Sequence, residues 1–166
     1  MKIFFGLPLL AIALAASSAM HSQASQAPFI LTLSSTKKVI NTALEARLEI
    51  VLRNTSDHEF SITKANTENQ AETQYTIDVR DGRGHPVALS EHGRIRLNRS
   101  PTSRLTISEV VYSVKPGETL TDVAVVTELY DLSQPGKYTI RVSREIPREF
   151  GKGTVKSNPV TITVTK

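Results

Sequence analysis

Leu44-Glu45-Ala46-Arg47-Leu48-Glu49-Ile50-Val51-Leu52-Arg53-Asn54-Thr55-Ser56-Asp57 is the stretch that decides the fold class. Apolar residues fall at Leu44, Ala46, Leu48, Ile50 and Leu52, while Glu45, Arg47, Glu49 and Arg53 take the other parity. A period of two places one face of a β-strand in a core and the other in water. Leu44, Leu48, Val51 and Leu52 also fit helical spacing, and the residues are good helix formers. Ala46 and Ile50 fit only the alternation, and Asn54-Thr55-Ser56-Asp57 is a turn signal, so a strand is predicted.

The same pattern recurs on both sides. Phe60 and Ile62 alternate with Ser61 and Thr63, and Tyr75, Ile77 and Val79 with Thr76, Asp78 and Arg80, before Asp81-Gly82-Arg83-Gly84 turns the chain. Val87 and Leu89 extend the pattern beyond that turn. Leu105 and Ile107 share one parity and Val110, Tyr112 and Val114 the other, which predicts a bulge or break near Ser108 and Glu109. Pro116-Gly117 turns the chain again, and Val123 with Val125 marks another strand. Tyr138, Ile140 and Val142, then Val160, Ile162 and Val164, complete the series, and no helix is expected after the N-terminal segment. Seven or eight short strands punctuated by Gly, Pro, Asn and Asp predict an all-β protein, a single two-sheet antiparallel β-sandwich. Tyr138 follows the Pro135-Gly136 turn, where its hydroxyl could bond back to the preceding backbone as a tyrosine corner or the ring could simply be half-buried.

Residues 1–24 read as a signal peptide: Met1-Lys2, an apolar and small-residue run from Ile3 to Ala16, then Ser17, Ser18 and Ala19. The run is shorter than the roughly 20 apolar residues that span a bilayer. Cleavage is expected after Ala19 or Ala24, and Pro28 disfavours a cut after Ala27. The domain is then 25–166, exported to the periplasm or secreted, with no transmembrane anchor. Of 20 Lys and Arg, removal of 1–24 takes only Lys2, leaving 19 basic against 16 acidic residues. Export, aromatics at 5% and the absence of Trp leave little for base stacking, so nucleic acid is not an expected partner. With no Cys there is no disulfide, thiolate metal site or cysteine nucleophile.

Leu52-Arg53-Asn54-Thr55-Ser56-Asp57, Tyr75-Thr76-Ile77-Asp78-Val79-Arg80-Asp81 with Gly84, Lys115-Pro116-Gly117-Glu118 and Pro135-Gly136-Lys137-Tyr138-Thr139-Ile140 together resemble bacterial immunoglobulin-like domains. Among these the chain is most similar to the intracellular proteinase inhibitor (BsuPI-like) pattern, from about Leu44 to Val142. The Trp residues associated with that family after its Asp-x-x-Gly turn are missing. The resemblance implies an immunoglobulin-like fold, and protease inhibition as an alternative function.

Catalytic motifs are missing from the sequence. His58, His85 and His92 lack metal-ligand spacing, so no metal is assigned. Serines are plentiful, but none lies in a Gly-x-Ser-x-Gly elbow. Gly82 and Gly84 precede no helix start and make no phosphate cradle. Asp78 with Asp81, and Glu45 with Glu49, read as solvated strand and turn residues. No enzyme activity and no cofactor are expected.

Two regions could recognise a partner. Arg94, Arg96, Arg99 and Arg104 cluster around Pro101, and their guanidinium forks suit carboxylate, phosphate or sulfate. They could equally be solvent-facing residues of an edge strand, since Ile95 and Leu97 alternate with them. The second region is the last connection, with Arg144, Ile146, Arg148, Phe150 and Lys152. Phe150 between Arg148 and Lys152 has the character of a binding hot spot, or Ile146 and Phe150 fold back over an open sheet end. The expected function is a non-catalytic binding module for a protein or an anionic envelope component.

Overall fold

The structure, a computed structural model, describes residues 27–41, 45–65, 71–97 and 109–166. The expected signal peptide, Leu44, Leu105, Ile107 and the break at Ser108 lie outside the described residues.

The deciding stretch becomes β3 (Arg47–Asn54). Its apolar parity is buried as predicted: Leu48, Ile50 and Leu52 are fully enclosed, while Arg47, Glu49 and Arg53 face water. The other predicted alternations become β4 (Phe60–Ala65), β5 (Thr76–Arg80), β6 (Glu109–Val114), β7 (Thr119–Val125), β8 (Gly136–Glu145) and β10 (Val160–Thr165). Three further strands were not anticipated: β1 (Phe29–Ser35), β2 (Val39–Asn41) and β9 (Thr154–Lys156). In β1 the signal was present, since Phe29, Leu31 and Leu33 alternate inward. β2 and β9 are three residues each, too short for periodicity to register.

The described strands form three sheets, ordered β1-β3-β7, β2-β10-β8-β5 with β9 added on β8, and β4-β6. Every ladder is antiparallel except β2 with β10, which is parallel. One buried cluster draws on all three sheets, taking Phe29, Ile50, Phe60, Val79, Ile140 and Ile162 among others. Each such side chain contributes about 1.5–3 kcal/mol on burial, opposed by the entropy of ordering the chain.

Asn54 organises the junction between sheets. The β3–β7 ladder ends at Arg53 opposite Thr119, and the β4–β6 ladder starts at Phe60 opposite Val114. Asn54 is fully buried there. Its Nδ2 donates to the carbonyls of His58 and Val114 at 2.8 and 2.9 Å, and its Oδ1 accepts from the Ser56 amide and hydroxyl. Its own amide donates to Glu118 and its carbonyl accepts from Gly117. A buried polar group is tolerated when satisfied in this way.

Three expectations need correction. Two short helices are present, α1 (Glu91–Leu97) and α2 (Val126–Leu129). The residues at 94–97 are therefore not an edge strand. Ser90 caps α1, accepting from the Gly93 amide on its hydroxyl at 2.8 Å, and a Cβ on Gly93 would lie 2.0 Å from the Leu129 carbonyl oxygen. Glycine thus lets α1 sit directly against the end of α2. Second, β7 turns Leu120, Asp122 and Ala124 rather than Val123 to the side of Leu52, Ile50 and Leu48. Third, Val87 and Leu89 add no strand, only isolated bridges from Pro86 to Arg80 and from Leu89 to Tyr130.

Other turns behave as read. Asp81 accepts from the Arg83 and His85 amides, and Gly84 takes φ +84°, a conformation that favours glycine. The Tyr138 hydroxyl donates to the Gln134 carbonyl at 2.6 Å, so the ring bonds back to the preceding turn.

Candidate functional site

β8 outruns β5. The last β5–β8 pair is Thr76 with Ser143, after which Arg144 and Glu145 pair with β9 instead. Beyond β8, Ile146 and Pro147 lead into a single 3-10 turn at Arg148–Phe150, and Gly151 at φ +111° reverses the chain. The Ile146 amide donates to the Gly153 carbonyl at 3.0 Å and closes the loop at its base.

Phe150 points inward. Its ring meets Phe60 edge-on at 5.5 Å between centroids, and Phe60 in turn packs near Phe29 at 6.1 Å. Ile146 is half-buried against the same core. Of the alternatives for this segment, Ile146 and Phe150 therefore fold back onto the sheets. That anchoring leaves Arg148 and Lys152 exposed on one loop. They line a hollow of about 750 Å³ with Ile146, Gly151 and Gly153.

On the other side of Ile146 lies a cleft of about 650 Å³ among Ser61–Thr63, Gln74–Thr76 and Ser143–Arg148. Arg144 is held in it, its guanidinium 5.1 Å from the Tyr75 ring centre and bonded to Gln74 Oε1 at 3.1 Å. The Tyr75 hydroxyl donates to Asp122 Oδ2 at 2.9 Å, and Asp122 Oδ1 pairs with Lys64 Nζ at 2.6 Å. Burial, then the Asp122 carboxylate, push the Tyr75 phenol well above its ordinary value, so it stays a neutral donor. Asp122 is not among the candidate residues of the sequence because Val123 and Val125 mark the opposite parity as the apolar one. A carboxylate in the Leu120, Asp122, Ala124 row was the available signal.

Of the arginine cluster, Arg94 and Arg96 are among the described residues. Arg96 is 15% exposed and pairs with Glu72 and Glu128. Arg94 lies exposed on α1, and Arg99 and Arg104 fall outside the described residues. Glu72 Oε2 is buried without a hydrogen-bond partner. Burial raises its carboxyl above the ordinary value, against its own amide and Arg96, which lower it.

His58 lies beside Asp57, and His85 Nδ1 is 3.6 Å from Asp81, both exposed. Among the described residues no three His, Asp or Glu side chains converge as metal ligands. No described helix is long and apolar enough to cross a membrane.

No family model and no curated protein matches the sequence. Among solved structures, the β-glucosidase EmGH1 from Erythrobacter marinus is similar over 84% of this chain, at 12% identity and a TM-score of 0.42. A β-glucosidase from Listeria innocua is similar in complex with isofagomine, over 83% of this chain at 14% identity, and with glucose, over 84% at 13%, each with a TM-score of 0.40. This chain spans 16% of the length of each of those chains.

Proposed function

We propose that the chain is an exported, non-catalytic module with an immunoglobulin-like β-sandwich fold, binding a protein or an anionic component of the cell envelope through the Arg144–Lys152 end. The observation that carries this reading is the pair Arg148 and Lys152 presented at one hollow by a loop whose frame is held elsewhere. Phe150 on Phe60, the Ile146–Gly153 bond and the Gly151 reversal hold the backbone, leaving the two cations to an anionic partner. Rigid presentation lowers the ordering cost of binding. The sandwich reading is supported by inward rows from the β1-β3-β7 and β2-β10-β8-β5 sheets entering one cluster, and export by the apolar run after Lys2.

The test is affinity capture from an envelope extract, comparing the chain with an Arg148→Glu, Lys152→Glu variant. Both positions are exposed, so the variant should fold. A partner held by the parent and lost by the variant is expected; equal capture by both would sink the loop assignment. The second reading, a protease inhibitor, would use the same loop, because Arg148 projects from a segment closed at its base. It requires stoichiometric inhibition in a protease panel, weakened by Arg148→Glu.

A further inference from the structure

At the other end of β8, on the outer face of the β5-β8-β10 sheet, lies a separate depression of about 600 Å³. Tyr138, Ile140 and Val142 face the core, so Lys137, Thr139 and Arg141 face outward. Residues two apart on one strand face lie about 7 Å apart. The row therefore reads cation, hydroxyl, cation, with Thr161 beside Thr139 across the β8–β10 ladder.

Two carboxylates also face the depression, and Asp78 stands opposite Arg141 in the β5–β8 register. Asp78 accepts from Arg80 Nε at 2.9 Å, and Asp81 accepts from the Arg83 and His85 amides. Lys137 and Arg141 make no side-chain hydrogen bond or ion pair among the described residues, and with Arg80 they set three cations against two carboxylates beside the hydroxyls of Thr139 and Thr161.

We infer that this depression is a binding site for an acidic polysaccharide, Lys137 and Arg141 holding its carboxylates or sulfates and Thr139 and Thr161 its sugar hydroxyls. β8 is bonded to β10 through Ile140 and to β5 from Thr139 onward, and the outer edge of β5 is taken at Ile77, Val79 and Asp81 by Tyr130, Val87 and His85, so little free backbone edge is offered for a peptide to add as a strand. Recognition must pass through side chains. The depression has no aromatic lining on which a neutral sugar could stack, so charge and hydroxyls define the ligand. This site shares no residue with the hollow at Arg148 and Lys152.

The experiment titrates the chain with polygalacturonate, with dextran as the neutral polymer and poly-glutamate as the acidic peptide. Saturable binding of polygalacturonate, weakening as salt rises, is expected, with little binding of dextran and weaker binding of poly-glutamate. A Lys137→Gln, Arg141→Gln variant should bind roughly tenfold more weakly with unchanged thermal unfolding. The Arg148→Glu, Lys152→Glu variant should keep the parent affinity. No binding of polygalacturonate, full binding by the Lys137, Arg141 variant, or equal affinity for poly-glutamate would overturn the inference. Loss only in the Arg148, Lys152 variant would also overturn it, while leaving the proposed end-loop function standing.

Discussion

Asn54 concentrates more hydrogen bonding than any apolar neighbour could replace. Its amide, carbonyl, Nδ2 and Oδ1 all have partners within a fully buried corner. Asn54→Ala would leave the buried Val114 carbonyl without its Asn54 donor and remove four side-chain hydrogen bonds, so it should lower stability by about 2 kcal/mol, read as a fall in the urea midpoint at unchanged slope. Gly93 works by absence. Because a Cβ there would overlap the Leu129 backbone, Gly93→Ala should cost about 1–3 kcal/mol by forcing α1 away from α2, seen as a lower melting temperature. The sequence placed Asn54 in the turn, but it is the last residue of β3, opposite Phe29, and its burial depended on β6 and β7 arriving beside it. Gly93 carried no signal, since its φ is not one that singles out glycine.

Elements hold one another through charge where α1 meets the rest. Arg96 joins α1 to Glu72 in the 3-10 turn before β5 and to Glu128 in α2. Removing the cation leaves two carboxylates facing each other, so Arg96→Met should destabilise by about 3 kcal/mol at neutral pH. The carboxyl of Glu72 sits above its unfolded value of 4.5, chiefly because burial disfavours its charge. Between those two values the folded state binds more protons. Stability should therefore rise as pH falls from neutral through the folded value and level off below 4.5. Urea midpoints measured across that range should show this rise in the parent and lose it in Glu72→Gln; an identical slope in both would refute it. At this scale seven of the ten described strands were legible; β1, β2, β9 and the helices were not. Ile95 and Leu97 alternate with Arg94 and Arg96 as in a strand, but the Ser90 cap and the contact with α2 determine the outcome.

For the whole molecule, a shared core predicts cooperative behaviour. Residues from all three sheets enter one buried cluster, and Asn54 ties the β3–β7 pair to the β4–β6 pair. Far-ultraviolet circular dichroism and tyrosine absorbance should therefore follow one unfolding curve. The second probe is clean, because the chain has no Trp and four Tyr, of which Tyr75 and Tyr138 are buried. Two separated transitions would mean that the sheets are independent units.

The sequence by itself determined what depends on neighbours along the chain: a mostly β protein, the inward parity of β3, β4, β5, β8 and β10, and the Asp81–Gly84 turn. Alternation and turn chemistry are local, with a period of two or a span of a few residues. Tertiary structure alone decided the rest. It placed Asp122 between Tyr75 and Lys64, turned Phe150 onto Phe60 so that Arg148 and Lys152 remained outside, and spent Arg96 on Glu72 and Glu128. It also aligned Thr161 with Thr139 beside Lys137 and Arg141. These contacts join residues far apart in sequence, and strand order and register, which no local pattern encodes, determine which side chains meet.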